Sequence, residues 1–172
     1  MNLKDRLMQD LKEAMKTGDE ARKGTIRLLR AAINAAEIEK RATFVDSQQA
    51  GGVDVETLAL DNAQFALTDA EVQAVLQKQA KQRRDSIAEY QKAGRDDLVA
   101  AEQAELAIIE TYLPRQMTRD EIEQAARKAA AELGISNMSG MGPLMKHLMA
   151  EFQGKADGRL VNEVVREVLS SG

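Results

Sequence analysis

A chain of 172 residues that is 44% hydrophobic can bury one core or two small ones, but with only 3% aromatics that core must come from Leu, Ile, Val, Ala and Met. Such a mixture suits packed helices better than a strand-rich sandwich, and the absence of cysteine excludes disulfides, a thiolate nucleophile and a Cys-ligated metal. The formal charge of −4 argues against generic polyanion binding, so any nucleic-acid contact must come from a local patch.

No 18-residue apolar run occurs, and MNLKDRLMQDLKEAMK at the N-terminus mixes acids with bases every few residues. Neither a membrane span nor a signal or transit peptide is expected. A cytoplasmic protein without membrane or DNA partners is the corresponding expectation.

Leu3, Leu7, Leu11, Ala14 and Met15 recur at steps of three and four, which predicts an amphipathic helix ending near Thr17 and Gly18. Asp19 can cap a second helix from Glu20 to about Arg41, with Leu29, Ala32, Ile33 and Ala36 as its apolar stripe. Lys23, Arg27, Arg30 and Asn34 fall on another face. A solvated face with ion pairs to the neighbouring helix explains them, and nucleic-acid contact is the rival reading. Residues 42–66 break the periodicity, contain Gly51 and Gly52, and carry four acids and no base. They predict an acidic inserted loop, with at most a short helical turn after Asp54.

Thr68 and Glu71 make a capping-box pattern opening a helix to about Ala93, with Gly94 as its stop. Asp96 or Asp97 opens the next helix, which ends near Tyr112 and Leu113 before Pro114. In this hairpin the expected inner positions are Val72, Leu76, Ile87, Tyr90, Leu98, Ala101, Ile108 and Tyr112. Arg83 and Glu105 interrupt that face, each 11 residues from Gly94, so antiparallel packing should bring them level as a structural ion pair.

The proline predicts a domain boundary, giving 1–114 and 115–172. Thr118 and Glu121 form a second capping box for a helix ending at Leu133, with Gly134 after it. Two more helices are expected, from about Gly140 to Phe152 with Ser139 as cap, and from just after Asp157 to the Val/Leu-rich end. Met138, Met141, Met145 and Met149 step like a core face. The fold class is therefore all-α, an N-terminal helical-hairpin domain followed by a small three-helix domain.

Two blocks are too particular to be generic. Lys81 to Ile87, then Tyr90, Ala93 to Arg95, Leu98, Glu105-Leu106 and Tyr112 to Pro114 resemble the central signature of the YqeY/GatB-related family. Met138, Met141-Gly142, Gly154 to Arg159 and Leu160 to Asn162 resemble the module this family shares with the tail of the GatB subunit of the glutamine-dependent tRNA amidotransferase. The resemblance implies an all-helical protein whose tail engages tRNA or a tRNA-charging complex. By the same kinship it implies, as an alternative, a component with glutamine-dependent carbon–nitrogen ligase activity. The acidic segment 42–66 and Pro143 depart from the family pattern.

From the residues themselves no catalytic centre emerges: there is no phosphate loop with its Lys, no HExxH and no nucleophile elbow, so neither cofactor nor metal is expected. What the residues do offer is an anion-binding corner. Lys155, Gly158 and Arg159 surround the start of the last helix, whose free amides carry the positive end of the dipole, and Lys146, with His147, can join from the helix before. The bland reading of the same residues is a tight capped turn. A helical protein-interaction adaptor is the remaining functional class.

Overall fold

Seven α-helices build the computed structural model, which describes residues 1–54, 56, 58–152 and 154–170. Among the described residues there is no strand, so the fold is all-α. Contacts within the chain divide it into two units, Met1–Tyr112 and Leu113–Gly172, a division two residues before the one drawn at Pro114.

In the first unit α1 (Leu3–Thr17) starts where the Asn2 side chain accepts the Asp5 amide at 2.8 Å, and it stops at Gly18, whose φ of 73° is the left-handed conformation of a helix end. Asp19 accepts the Arg22 amide and opens α2 (Glu20–Ala50). Leu7, Leu11 and Ala14 face Thr25, Ile26, Leu29 and Ile33 as a buried seam. The hairpin of α3 (Asp69–Lys92) and α4 (Asp96–Glu110) turns at Gly94, φ 66°. Tyr112 closes the unit: its ring is buried, its hydroxyl donates to Asp10 Oδ2 at 2.6 Å, and the Arg6 guanidinium lies 5.0 Å from the ring centre. Burial first, and then the Asp10 carboxylate, push the Tyr112 hydroxyl up to about 12, against the pull of Arg22.

Two expectations need correction here. The second helix does not stop at Arg41 and the acidic segment is not simply a loop, because α2 continues to Ala50 and Asn62–Phe65 forms a short 3-10 helix. Residues 42–50 contain neither Pro nor Gly, so nothing in them terminates a helix. What ceases is the buried face, whose last residue is Ile33, and the loss of apolar periodicity resembled the loss of the helix. Phe44 rests against Phe65, ring centres 5.5 Å apart. Asp54 Oδ1 accepts the Glu56 amide at 3.1 Å; the rest of the turn proposed after it falls partly on residues 55 and 57, outside the described residues.

The second correction concerns α4. Val99 and Ile109 are its buried residues, whereas Ala101 is exposed and Leu98 and Ile108 are half-buried. Because α4 packs against α2 as well as α3, its inward face is set by two neighbours and not by the hairpin alone.

The second unit packs α5 (Arg119–Leu133), α6 (Met141–Phe152) and α7 (Gly158–Ser170) around Ile122, Ala126, Leu144, Leu148, Phe152, Val161, Val164 and Val165. Met141 and Met145 pack onto this core, while Met138 and Met149 are exposed. Ser139 does not cap α6. A 3-10 turn, Met138–Gly140, precedes that helix, and both the amide and the hydroxyl of Ser139 donate to Asn137 Oδ1. A Cβ on Gly140 would overlap the Ile135 side chain, so only glycine fits there. Pro143 is the third residue of α6, in the first turn, where its missing N–H breaks no intrahelical bond.

Candidate nucleic-acid interface

The corner between α6 and α7 is built from the second unit alone. Phe152 ends α6, Ala156 is buried as the turn's apolar anchor, and the Lys155 amide donates back to the Phe152 carbonyl at 2.9 Å. Two residues that the sequence did not single out hold this turn from the side. The Met117 amide donates to the Lys155 carbonyl at 2.6 Å, and Gln116 Nε2 donates to the Gly154 carbonyl at 3.1 Å. No spacing rule connects them to the turn, because the contact spans 38 residues.

Asp157 defines the helix start. Its Oδ1 accepts the amides of Arg159 at 2.9 Å and Leu160 at 3.2 Å, and its backbone carbonyl accepts Val161. Two of the amides expected to lie open to an anion therefore already face a carboxylate, which also answers the dipole of α7. What the corner presents outward is cationic side chains. Lys146, Lys155, Gly158 and Arg159 are all exposed, and Met149 of α6 lies beside Gly158, its Cε 3.7 Å from where a Cβ would stand. His147 sits 3.7 Å from Glu151 on the same helix.

Much of the rest of the unit's charge is organised in pairs. Arg119 reaches across to Glu163 at 2.9 Å and Glu167 at 2.6 Å, Arg127 holds Glu123, and Arg115 pairs with Glu121. The Thr118 amide first, and then the Arg115 guanidinium, hold the Glu121 carboxyl below its ordinary range. Lys146 and Lys155 have no salt-bridge partner among the described residues. Arg166, seven residues after Arg159, is exposed on the same side of α7; the i, i+7 step was the available signal for it.

Arg83 and Glu105 lie in the first unit. Arg83 Nε is 2.8 Å from Glu105 Oε2 and 3.5 Å from Glu102 Oε2. These three atoms are sealed from solvent and meet as charges without hydrogen-bond alignment. Among the described residues no group of three or more His, Asp or Glu side chains is placed to hold a metal, and no helix is long and apolar enough to cross a membrane.

The model of the Yqey-like protein family matches residues 4–60 and 52–169. The chain belongs to that family. Curated relatives point the same way: Altered inheritance of mitochondria protein 41, mitochondrial, of Eremothecium gossypii is 36% identical over 140 residues, covering 81% of this chain and 64% of its own length. The protein of the same name from Pyrenophora tritici-repentis is 29% identical over 170 residues, covering 96% of this chain and 80% of its own. That of Lachancea thermotolerans is 36% identical over 135 residues, 77% and 60%. The chain thus spans less than two thirds of the Eremothecium and Lachancea relatives. The expectation of a cytoplasmic location does not stand, because these relatives are named as mitochondrial proteins. An N-terminus mixing acids and bases was too weak a basis for it.

Proposed function

We propose that this Yqey-like protein is a tRNA-associated accessory factor whose α6–α7 corner touches the RNA backbone, and that it has no catalytic centre of its own. The observation that carries the reading is the charge pattern of the second unit. Cations on α5 are answered by carboxylates, whereas Lys146 and Lys155 stand exposed without a salt-bridge partner among the described residues, beside Arg159 in the first turn of α7. The resemblance of Gly154 to Asn162 to the GatB tail supports tRNA as the polyanion. With Asp157 occupying the first amides, contact comes from side-chain point charges on phosphates, which gives shape-directed and salt-dependent affinity instead of base reading.

A gel-shift titration of the purified chain with mitochondrial tRNA over a range of salt tests this. Three phosphate contacts predict a log–log salt slope of about −2 to −3. Lys155→Glu with Arg159→Glu should weaken binding at least about tenfold, with Lys146→Glu adding to the loss. Unchanged affinity in the double variant rejects the corner. With glutamine, ATP and misacylated tRNA supplied, the chain alone is expected to form no amide product, and product formation would instead establish the ligase reading.

A further inference from the structure

We propose that the groove running along α2 beside α1 and the 62–65 turn receives an acidic amphipathic helix from a partner protein. Two concavities make the groove. One, of about 220 Å³, is bordered by Lys4, Asp5, Met8, Arg30 and Asn34, and the other, of about 360 Å³, by Asn34, Glu37, Ile38, Arg41 and Phe65, with Glu37 already held by Lys4. They share Asn34 and so continue into each other. From Arg30 to Arg41 the chain advances roughly 16 Å, about three turns of a docked helix.

The apolar part of the groove is out of place on a solvated surface. Ile38 is 70% exposed in the middle of α2, Met8 of α1 is 37% exposed at one end of the groove, and Phe44 is 37% exposed beyond the other. A β-branched residue so exposed in mid-helix, flanked by arginines on its own face, offers area to an aliphatic partner and nothing to the fold.

The cations supply the complementarity. Lys4 pairs with Glu37, Arg22 with Asp10, Lys23 with Glu20 and Lys40 with Glu71. Arg27 and Arg30 have no such partner among the described residues, and Arg41 donates only to the side-chain carbonyl of Asn62 at 3.2 Å. Arg27, Arg30, Asn34, Ile38 and Arg41 step by three and four, so the unanswered charge and the exposed isoleucine occupy one stripe of α2. Carboxylates at the same steps on a second helix would meet the arginines while its leucines cover Ile38 and Met8. Arginine and methionine are also the side chains enriched at protein interfaces.

Nucleic acid fits this stripe less well. Exposed Ile38 and Met8 in the groove offer nothing to a phosphate backbone, whereas they suit the leucines of an amphipathic helix. Phe44 is tilted 55° against Phe65 and is no flat platform for a base.

The test is fluorescence anisotropy of the full chain with a labelled helical peptide of about 15 residues, leucines along one face and glutamates beside them. Binding is expected in the range of about 10 to 100 µM, lost at least about tenfold in Ile38→Asp and in Arg30→Glu with Arg41→Glu. A peptide with lysines in place of glutamates should bind the charge-reversed variant, a gain that misfolding cannot produce. Lys155→Glu with Arg159→Glu should leave peptide binding intact, which separates this proposal from that of the corner. The proposal is overturned by no binding to the unaltered chain, by equal binding of a scrambled peptide, by original-peptide affinity that survives arginine reversal, or by displacement of the peptide by tRNA.

Discussion

Glu71 shows how much one side chain of this protein combines. Its carboxylate accepts Lys40 Nζ at 2.8 and 3.0 Å and the Thr68 amide at 2.8 Å, while the Thr68 hydroxyl donates to it at 3.0 Å. These bonds, that of Lys40 foremost, lower its pKa from 4.5 to about 2. A carboxyl depressed on folding stabilises the native state above its unfolded pKa and loses that contribution as pH falls towards the folded one. The window is therefore about pH 4.5 down to 2. Melting temperatures across that window should fall less steeply in Glu71→Gln than in the unaltered chain, and parallel slopes would remove Glu71 from the account. Local sequence disclosed half of this arrangement. Thr68-x-x-Glu71 is legible as a capping box because both bonds close within one turn, but Lys40 lies 31 residues away and arrives only when α2 and α3 pack. At the cationic corner the balance was similar: an Asp just before a helix start is itself a cap signal, and following it through would have assigned the Arg159 and Leu160 amides to Asp157.

Among the elements, the α3–α4 hairpin carries an unequal charge cluster, one arginine between two glutamates. Arg83→Met leaves Glu102 and Glu105 with repelling oxygens out of reach of water, whereas Glu105→Leu leaves Arg83 still 3.5 Å from Glu102. The first change should therefore cost more than the second. Side chains here are 19% to 36% exposed, so a loss of about 1–2 kcal/mol for Arg83→Met is expected, below the range for fully buried pairs. Urea denaturation of both single variants and the double variant would measure this, and the double should recover much of the loss. Additive penalties would mean that the residues act independently. The equal distance of Arg83 and Glu105 from Gly94 made their meeting readable, since an antiparallel hairpin fixes register. Glu102 and the true inward face of α4, Val99 and Ile109, were not, because the packing of α2 on the same helix leaves no local trace.

At the scale of the whole molecule the two units differ in kind. By count of side chains the first carries a net charge of −4 and the second none. The core of the second is assembled wholly from its own residues, so residues 113–172 expressed alone should fold, melt cooperatively by circular dichroism and keep whatever tRNA affinity the full chain shows. A fragment that is unfolded, or folded but without affinity, would contradict that independence. Composition and periodicity sufficed for the class and for most helices because each amphipathic stripe matched a real seam, and they failed where α2 outruns its seam. Its last buried residue is Ile33, yet the helix extends to Ala50, held there by Arg41 on Asn62 and Phe44 on Phe65. Unwinding its last turn, beyond Phe44, uncovers little apolar surface, so it releases little heat capacity and scarcely perturbs the seam behind it. α2 should consequently fray inward from Ala50 in small steps, and the first unit is expected to soften gradually at one end while its centre still melts as a single cooperative body.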